Sequence, residues 1–209
     1  MDSYRRPAIE SVVFRDADGA AIEYGDRWGA GSPPEESYSV LSNVERFRPL
    51  HRVGEALIDA LATEYAATVE DDLALASALM HDRDDVIRAV KVTPQDPAAA
   101  ALTFVFTSFP SVIVHAGALH DFPYPVCGCD ACDEDWQRMA EELEWCVRTV
   151  AAGGYRESAG PRSIGFRLAD ESGSRSGSAR RQDFPRSRSD AAARTLSALD
   201  GWSAWPRTV

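Results

Sequence analysis

The chain has 209 residues, 44% of them hydrophobic, and a formal net charge of −11. This size and composition predict one globular domain, residues 1–209, with a substantial core. The negative charge argues against specific nucleic-acid and membrane partners, because phosphate and anionic lipid surfaces repel it. No segment approaches the ~20 apolar residues of a transmembrane helix, and the first residues lack a signal-peptide apolar run. We therefore expect a cytoplasmic protein whose cysteines stay reduced.

The first forty residues, 1–40, are expected to be irregular, with a hairpin around the turn at Asp16–Gly19. A helix is predicted next. Ser42 and Glu45 fit a capping box, and Pro49 fits the first turn. The apolar positions from Leu50 to Tyr65 then recur on one helical face, which predicts an amphipathic helix.

An antiparallel meander of three strands is predicted over Val86–Val92, Leu102–Phe109 and Val112–His115. Both faces of the middle strand are apolar, so both are expected to be covered. A second amphipathic helix follows, with an apolar stripe from Trp136 to Val150, and two glycines end it. The fold class is therefore α+β: a small antiparallel sheet, two main helices and a cysteine loop resembling a zinc knuckle.

The C-terminal region is less regular in sequence. A further strand is predicted at Ile164–Leu168 and a short helix at Asp190–Leu199. Between them, residues 171–189 are rich in serine, glycine and arginine, which predicts a disordered loop. Trp202 and Trp205 are expected to pin the C-terminus to the body, because large aromatic rings bury much area.

The strongest chemical signal is the spacing Cys127-x-Cys129-x2-Cys132. Zinc prefers four tetrahedral ligands and takes thiolates and imidazoles readily. This segment can supply three thiolates from one tight loop, with Gly128 allowing the backbone to turn. The sequence therefore predicts a metal site, with zinc as the cofactor. A metal-free thiol cluster and a redox-active dithiol remain as alternatives.

The fourth ligand separates a closed structural zinc site from an open one. His120, a short step upstream of the cysteines, is the predicted fourth ligand. His115, Asp121 and Cys146 are alternatives, and either His115 or Asp121 could instead orient the ligating histidine. Water in the fourth position would make the site a candidate for catalysis.

The leading hypothesis for function is a protein-interaction module with a structural zinc site, and no residue is predicted to be catalytic. Trp145 lies opposite the apolar stripe of its helix and is a candidate interaction surface for a protein partner. The alternatives are a zinc-dependent enzyme with an open metal site and a thiol redox sensor. Known zinc-enzyme motifs, such as H-E-x-x-H and the deaminase pair of H-x-E with P-C-x-x-C, are missing from the sequence.

Six sequence blocks resemble an uncharacterised family of actinobacterial proteins, domain of unknown function 6226. The blocks are Tyr24–Gly29, Ser32–Pro34, Tyr38–Val40, Glu45–His51, Leu119–Pro123 and Cys127–Glu134. The resemblance spans roughly Tyr24 to Gly154, and the cysteine block is its most specific part. It implies an intracellular bacterial protein and no particular activity.

Overall fold

A five-stranded antiparallel sheet in the order β1-β2-β3-β4-β5 forms the centre of the molecule in a computed structural model, which describes residues 4–10 and 12–208. Its strands are β1 (Ala67–Asp71), β2 (Val86–Pro94), β3 (Leu102–Thr107), β4 (Val112–Ala116) and β5 (His120–Tyr124). The predicted meander corresponds to β2, β3 and β4 and is confirmed. β1 and β5 extend it at its two edges.

Two helices cover one face of this sheet, α1 (Pro49–Glu64) and α2 (Trp136–Ala151). Alternate sheet residues such as Phe104 and Val114 join the helices in one core cluster. The opposite face carries Val105 and Ile113, which pack against residues of a 3-10 helix, Leu73–Ala78. Both faces are therefore covered, as their apolar composition predicts, and the α+β class is confirmed.

The predicted capping box before α1 does not form. The N-cap residue is Arg48, which makes no side-chain cap, and a 3-10 turn, Val44–Phe47, leads into the helix. Glu45 instead pairs with Arg48, and the Ser42 amide donates to the Asp130 carboxylate. Pro49 does occupy the first turn of the helix, where its missing N–H costs no hydrogen bond.

A second sheet of three antiparallel strands follows α2, formed by β6 (Tyr155–Ala159), β7 (Ser163–Asp170) and β8 (Gly173–Arg180). β8 and the first turn of the helix α3 (Arg186–Ser197) occupy residues 171–189, which were predicted to be a disordered loop, and the rest of α3 lies within the helix predicted at Asp190–Leu199. The prediction differs from the structure because backbone pairing with β7, which runs along the whole of β8, does not require apolar side chains. An exposed edge strand can therefore have the composition of a loop.

The C-terminus is fixed to the body by its two tryptophans. Trp202 and Trp205 are 6% and 3% exposed. The Trp205 indole donates to the Ala100 carbonyl at 2.9 Å, and the Ser203 backbone bridges to Ala99. This confirms the expectation that the aromatic rings pin the chain end. Within the described residues, no helix is long and apolar enough to cross a membrane.

Candidate metal centre

Three cysteine side chains meet on the loop between β5 and α2. The Sγ atoms of Cys127, Cys129 and Cys132 all lie within 4.8 Å of one another. Cys127 and Cys129 are 3.2 Å apart and Cys129 and Cys132 are 3.4 Å apart, far beyond the ~2.05 Å of a disulfide. Tetrahedral zinc with ~2.3 Å Zn–S bonds has edges of ~3.8 Å. The sulfurs of these two pairs would thus need to separate by only about 0.5 Å to match that edge.

The thiols of Cys129 and Cys132 differ in acidity because of their contacts within the cluster. The Cys127 thiol and the backbone N–H groups of Cys132 and Ser39 donate to Cys129, and these bonds lower the Cys129 pKa to about 7. Contact with Cys127, followed by desolvation, raises the pKa of Cys132 to about 12. Cys129 therefore ionises readily, whereas Cys132 resists ionisation. A bound cation would reverse that resistance, since it attracts every thiolate.

Gly128 allows the loop to pass close to the sheet. A Cβ atom at this position would lie 2.4 Å from Cζ of Phe109, which follows β3. The glycine was expected to permit a tight turn, and the structure gives a more specific reason for it. Only a residue without a side chain lets the backbone rest against the Phe109 ring.

Arg46 holds the loop on both sides of the cysteines. This guanidinium is buried, with 3% exposure. It donates to the carbonyls of Gly128 at 3.0 Å and Glu134 at 3.3 Å. Its charged end lies 4.3 Å from the ring centre of Tyr24 and 4.2 Å from that of Phe47. A single side chain from the turn before α1 thus fixes the start and the end of the cysteine segment.

A second arginine fixes the middle of the loop. Asp133 has a left-handed backbone with φ of 51°. Its carboxylate accepts hydrogen bonds from the amides of Gly25 and Arg27 at 3.0 and 2.7 Å and from the Arg27 guanidinium at 2.5 Å. Arg27 and the Trp28 indole also donate to the Asp130 carbonyl at 2.6 and 3.2 Å. These contacts join the N-terminal segment to the cysteine loop.

The carboxylates beside the cysteines are used to hold the backbone. Asp130 accepts the Ser42 amide at 3.1 Å, and Glu134 accepts the Cys127 amide at 3.0 Å. Burial raises the pKa of Glu134. Asp133 likewise accepts backbone amides. The carboxylates of Asp130, Asp133 and Glu134 therefore each help to hold the cysteine loop in place.

The N-terminal segment contains less regular structure than predicted but has a larger role. The predicted hairpin is reduced to one bridge between Arg15 and Ala21. Further along, the Ser37 and Val40 carbonyls accept amides of the cysteine loop at 3.1 and 2.8 Å. Sequence reasoning missed this packing. The available signal was that the blocks carrying the family resemblance include both partners.

The predicted fourth ligand, His120, is not brought to the sulfurs. It is the first residue of β5, and its Nδ1 lies 2.8 Å from Oε1 of the buried Glu157. A strand rises ~3.3 Å per residue, so His120 lies ~13 Å from Tyr124, where β5 leads into the cysteine loop. Among the residues that the structure describes, the potential metal-binding group consists of the three cysteines and includes no histidine.

The two histidines are also separated from each other. His115 pairs across the strands with Asp121, and its Nδ1 lies 2.7 Å from Oδ1 of that residue. His120 pairs with Ala116. Neighbouring residues of a strand point to opposite faces of the sheet. His115 and Asp121 therefore share one face, and His120 lies on the other. His115 and Asp121 therefore do not orient His120.

The two remaining candidates lie in α2. Cys146 is fully buried, burial raises its pKa to about 12, and it is outside the group of three cysteines. It therefore serves as a packing residue. Trp145 is half-buried and packs against the main core cluster, so less of its ring is exposed than the helical pattern predicts.

Comparison with known proteins gives a family for this fold and site. Residues 10–209 match the model of a family described as a family of unknown function (DUF6226). The chain matches no curated protein and no solved structure. The match extends beyond the resemblance seen in the sequence blocks and covers almost the whole chain. The chain therefore belongs to the DUF6226 family.

Proposed function

We propose that this protein is a zinc-thiolate protein in which Cys127, Cys129 and Cys132 bind one zinc ion. The observation that carries the proposal is the meeting of three sulfurs within 4.8 Å on a loop held by the buried Arg46 and the partly buried Arg27. Thiolates suit zinc, which is borderline-soft and takes sulfur at ~2.3 Å. A reducing compartment such as the cytoplasm keeps these thiols available.

The loop is built as a binding and docking element rather than a reaction centre. General acid–base catalysis needs a titratable group within hydrogen-bond reach of the substrate. Here the neighbouring carboxylates hold backbone amides, and His115 and His120 pair with Asp121 and Glu157 on the sheet. We therefore place the protein among interaction modules with a zinc-stabilised loop.

Metal binding is tested with the full chain under anaerobic, reducing conditions. Titration with Co²⁺ should produce thiolate-to-metal charge-transfer absorption that reaches a plateau at one ion per chain, and Zn²⁺ should displace it. Serine at any one of the three positions should remove or strongly weaken this absorption. Cys146→Ala is the matched control, because that thiol is buried in the core, and it should leave the titration unchanged.

Stability gives a second readout that does not depend on absorption. Metal bound only by the folded chain adds its binding free energy to folding. Zinc should therefore raise the melting temperature by several degrees, and a strong chelator should reverse the rise. A chain that binds no metal and melts at the same temperature with and without zinc would refute the proposal.

A thiol redox sensor is the second candidate, and the short sulfur contacts favour it. Cys129 lies 3.2 and 3.4 Å from its two neighbours, and its lowered pKa makes it the most reactive thiol. Peroxide would convert two thiols to one disulfide and water, with a loss of two hydrogens from the chain. Mass spectrometry of peroxide-treated protein, with and without zinc, separates the two functions, since bound zinc should block the oxidation.

A further inference from the structure

The zinc site is short of one ligand within its own chain. Zinc takes four ligands, and the described residues bring only three sulfurs together. The next residue after the cluster, Asp133, is 7% exposed and bonded to Arg27. The fourth donor must therefore arrive from outside the chain, on the side of the loop that faces solvent.

That side is unusually apolar for an exposed surface. Cys132 is the exposed member of the cluster. The segment that carries Tyr38, Val40 and Leu41 runs beside the cysteine loop, since the Val40 carbonyl accepts the Asp130 amide at 2.8 Å, and Val126 directly precedes Cys127. Tyr38, Val40 and Leu41 are 57%, 42% and 57% exposed, and Val126 is 52% exposed. We call these four side chains the apolar rim. They account for four of the nine large hydrophobic side chains that are exposed in the described chain, and such concentration marks an interaction site.

We propose that a second copy of the chain covers this surface and completes the site, an inference that rests on the proposed zinc binding. In the dimer, Cys132 of each copy bridges both zinc ions, while Cys127 and Cys129 bind only their own. Each zinc then has four sulfurs: three from its own chain and one from the other. The balance is two Zn²⁺ and six thiols giving one Zn₂S₆ cluster of charge −2 and six released protons.

Several features favour a second copy over an unrelated occupant. A two-fold contact uses the same surface on both copies. The exposed Cys132 of each copy can therefore serve as the fourth zinc ligand of the other. The same contact buries both apolar rims, which are otherwise exposed to water. The charge of −11 on each copy opposes the contact. The dimer should therefore become tighter as salt screens this repulsion.

The test is the mass and zinc content of the full chain, measured by light scattering and native mass spectrometry. Without zinc, the chain should have the mass of one copy, 22.8 kDa. With one equivalent of zinc it should have twice that mass and carry two zinc ions. A chelator should restore the single copy. X-ray absorption at the zinc edge should show four sulfur neighbours and a second zinc.

Two leucines of equal exposure provide a matched pair of variants. Leu41 on the apolar rim is 57% exposed, and Leu73 on the 3-10 helix at the other face of the sheet is 58% exposed. Leu41→Glu should still bind one zinc per chain but remain a single copy, whereas Leu73→Glu should form the dimer. Cys132→Ser should remain a single copy at every zinc concentration, because the bridging thiol is gone.

The outcomes separate this inference from the proposed function. One zinc per single copy, with water, an added small thiol or another protein as its fourth ligand, overturns the dimer and leaves the zinc site standing. A dimer that forms without zinc, or that persists in Cys132→Ser or Leu41→Glu, also overturns it. A chain that binds no zinc refutes the proposed function itself.

Discussion

Replacing Arg46 with alanine should disconnect the cysteine loop from the body. This buried guanidinium bonds the Gly128 and Glu134 carbonyls at 3.0 and 3.3 Å. A hydrogen bond to a charged group contributes about 1.5–3 kcal/mol. Two such bonds at the lower bound give about 3 kcal/mol of lost folding free energy. For a domain of this size, that corresponds to a fall in melting temperature of about 9 °C.

The same change should weaken zinc binding, because the freed loop must be ordered when the ion binds. If the whole 3 kcal/mol falls on the loop, the zinc dissociation constant rises by roughly a hundredfold. Calorimetric melting and competition with a chromophoric chelator measure the two effects. Arg48→Ala is the control. The Arg48 guanidinium lies near Arg46 in sequence but is exposed, and in the contacts described it bonds only Glu45. If the two variants melted and bound zinc alike, the assigned role of Arg46 would be wrong.

Three further predictions concern the loop and the sheet. Gly128→Ala should weaken zinc binding about tenfold, the effect of ~1.4 kcal/mol, because the added Cβ meets Phe109 at 2.4 Å; calorimetric titration measures this. Glu157→Gln should lower the melting temperature but leave zinc content unchanged, because this buried acid bonds His120 at the end of β5 that is distant from the cysteine loop. In alkylation of the metal-free chain at pH 8 followed by mass spectrometry, Cys129 should react first and Cys146 should not react, because hydrogen bonds lower the Cys129 pKa to about 7 and burial raises that of Cys146 to about 12.

Each of these predictions has a clear contrary result. Zinc titration of Gly128→Ala that matches the parent would mean that the loop approaches the sheet less closely than described. Loss of zinc from Glu157→Gln would connect the histidine side of the sheet to the metal site. Rapid labelling of Cys146 in the native protein would contradict its burial.

The regular elements were accessible from sequence because their signals are local. The helical stripe from Leu50 to Tyr65 and the strand residues Phe104 and Val105 reveal their periods within a few positions. Each strand residue has its predicted face, with Phe104 in the main core and Val105 in the smaller cluster. β8 lacked such a signal, since an exposed strand of serine, glycine and arginine is stabilised by pairing with β7.

The cysteine cluster was also accessible, because its three residues lie within six positions of the chain. The choice of His120 as the fourth failed to account for strand geometry. Proximity in sequence does not mean proximity in space when a strand leads away from the residue, and β5 separates His120 from the loop. The alternation of side chains along a strand likewise separates His115 from His120.

The supports of the loop could not be derived from local patterns. Arg27 and Arg46 lie more than 80 positions before their partners in the cysteine segment. Nothing in their neighbourhood distinguishes a buried arginine from the exposed ones that are far more common. Only the tertiary structure reveals that an N-terminal segment with little regular structure packs against the cysteine loop.

The central claim is that the three cysteines bind zinc, and the most direct measurement is metal analysis of the full chain. The protein should be purified anaerobically without added metal and examined by elemental analysis and zinc-edge absorption. The account predicts one zinc per chain with at least three sulfur neighbours, and no zinc in the chain with serine at positions 127, 129 and 132. Metal-free protein that also binds no added zinc would contradict it.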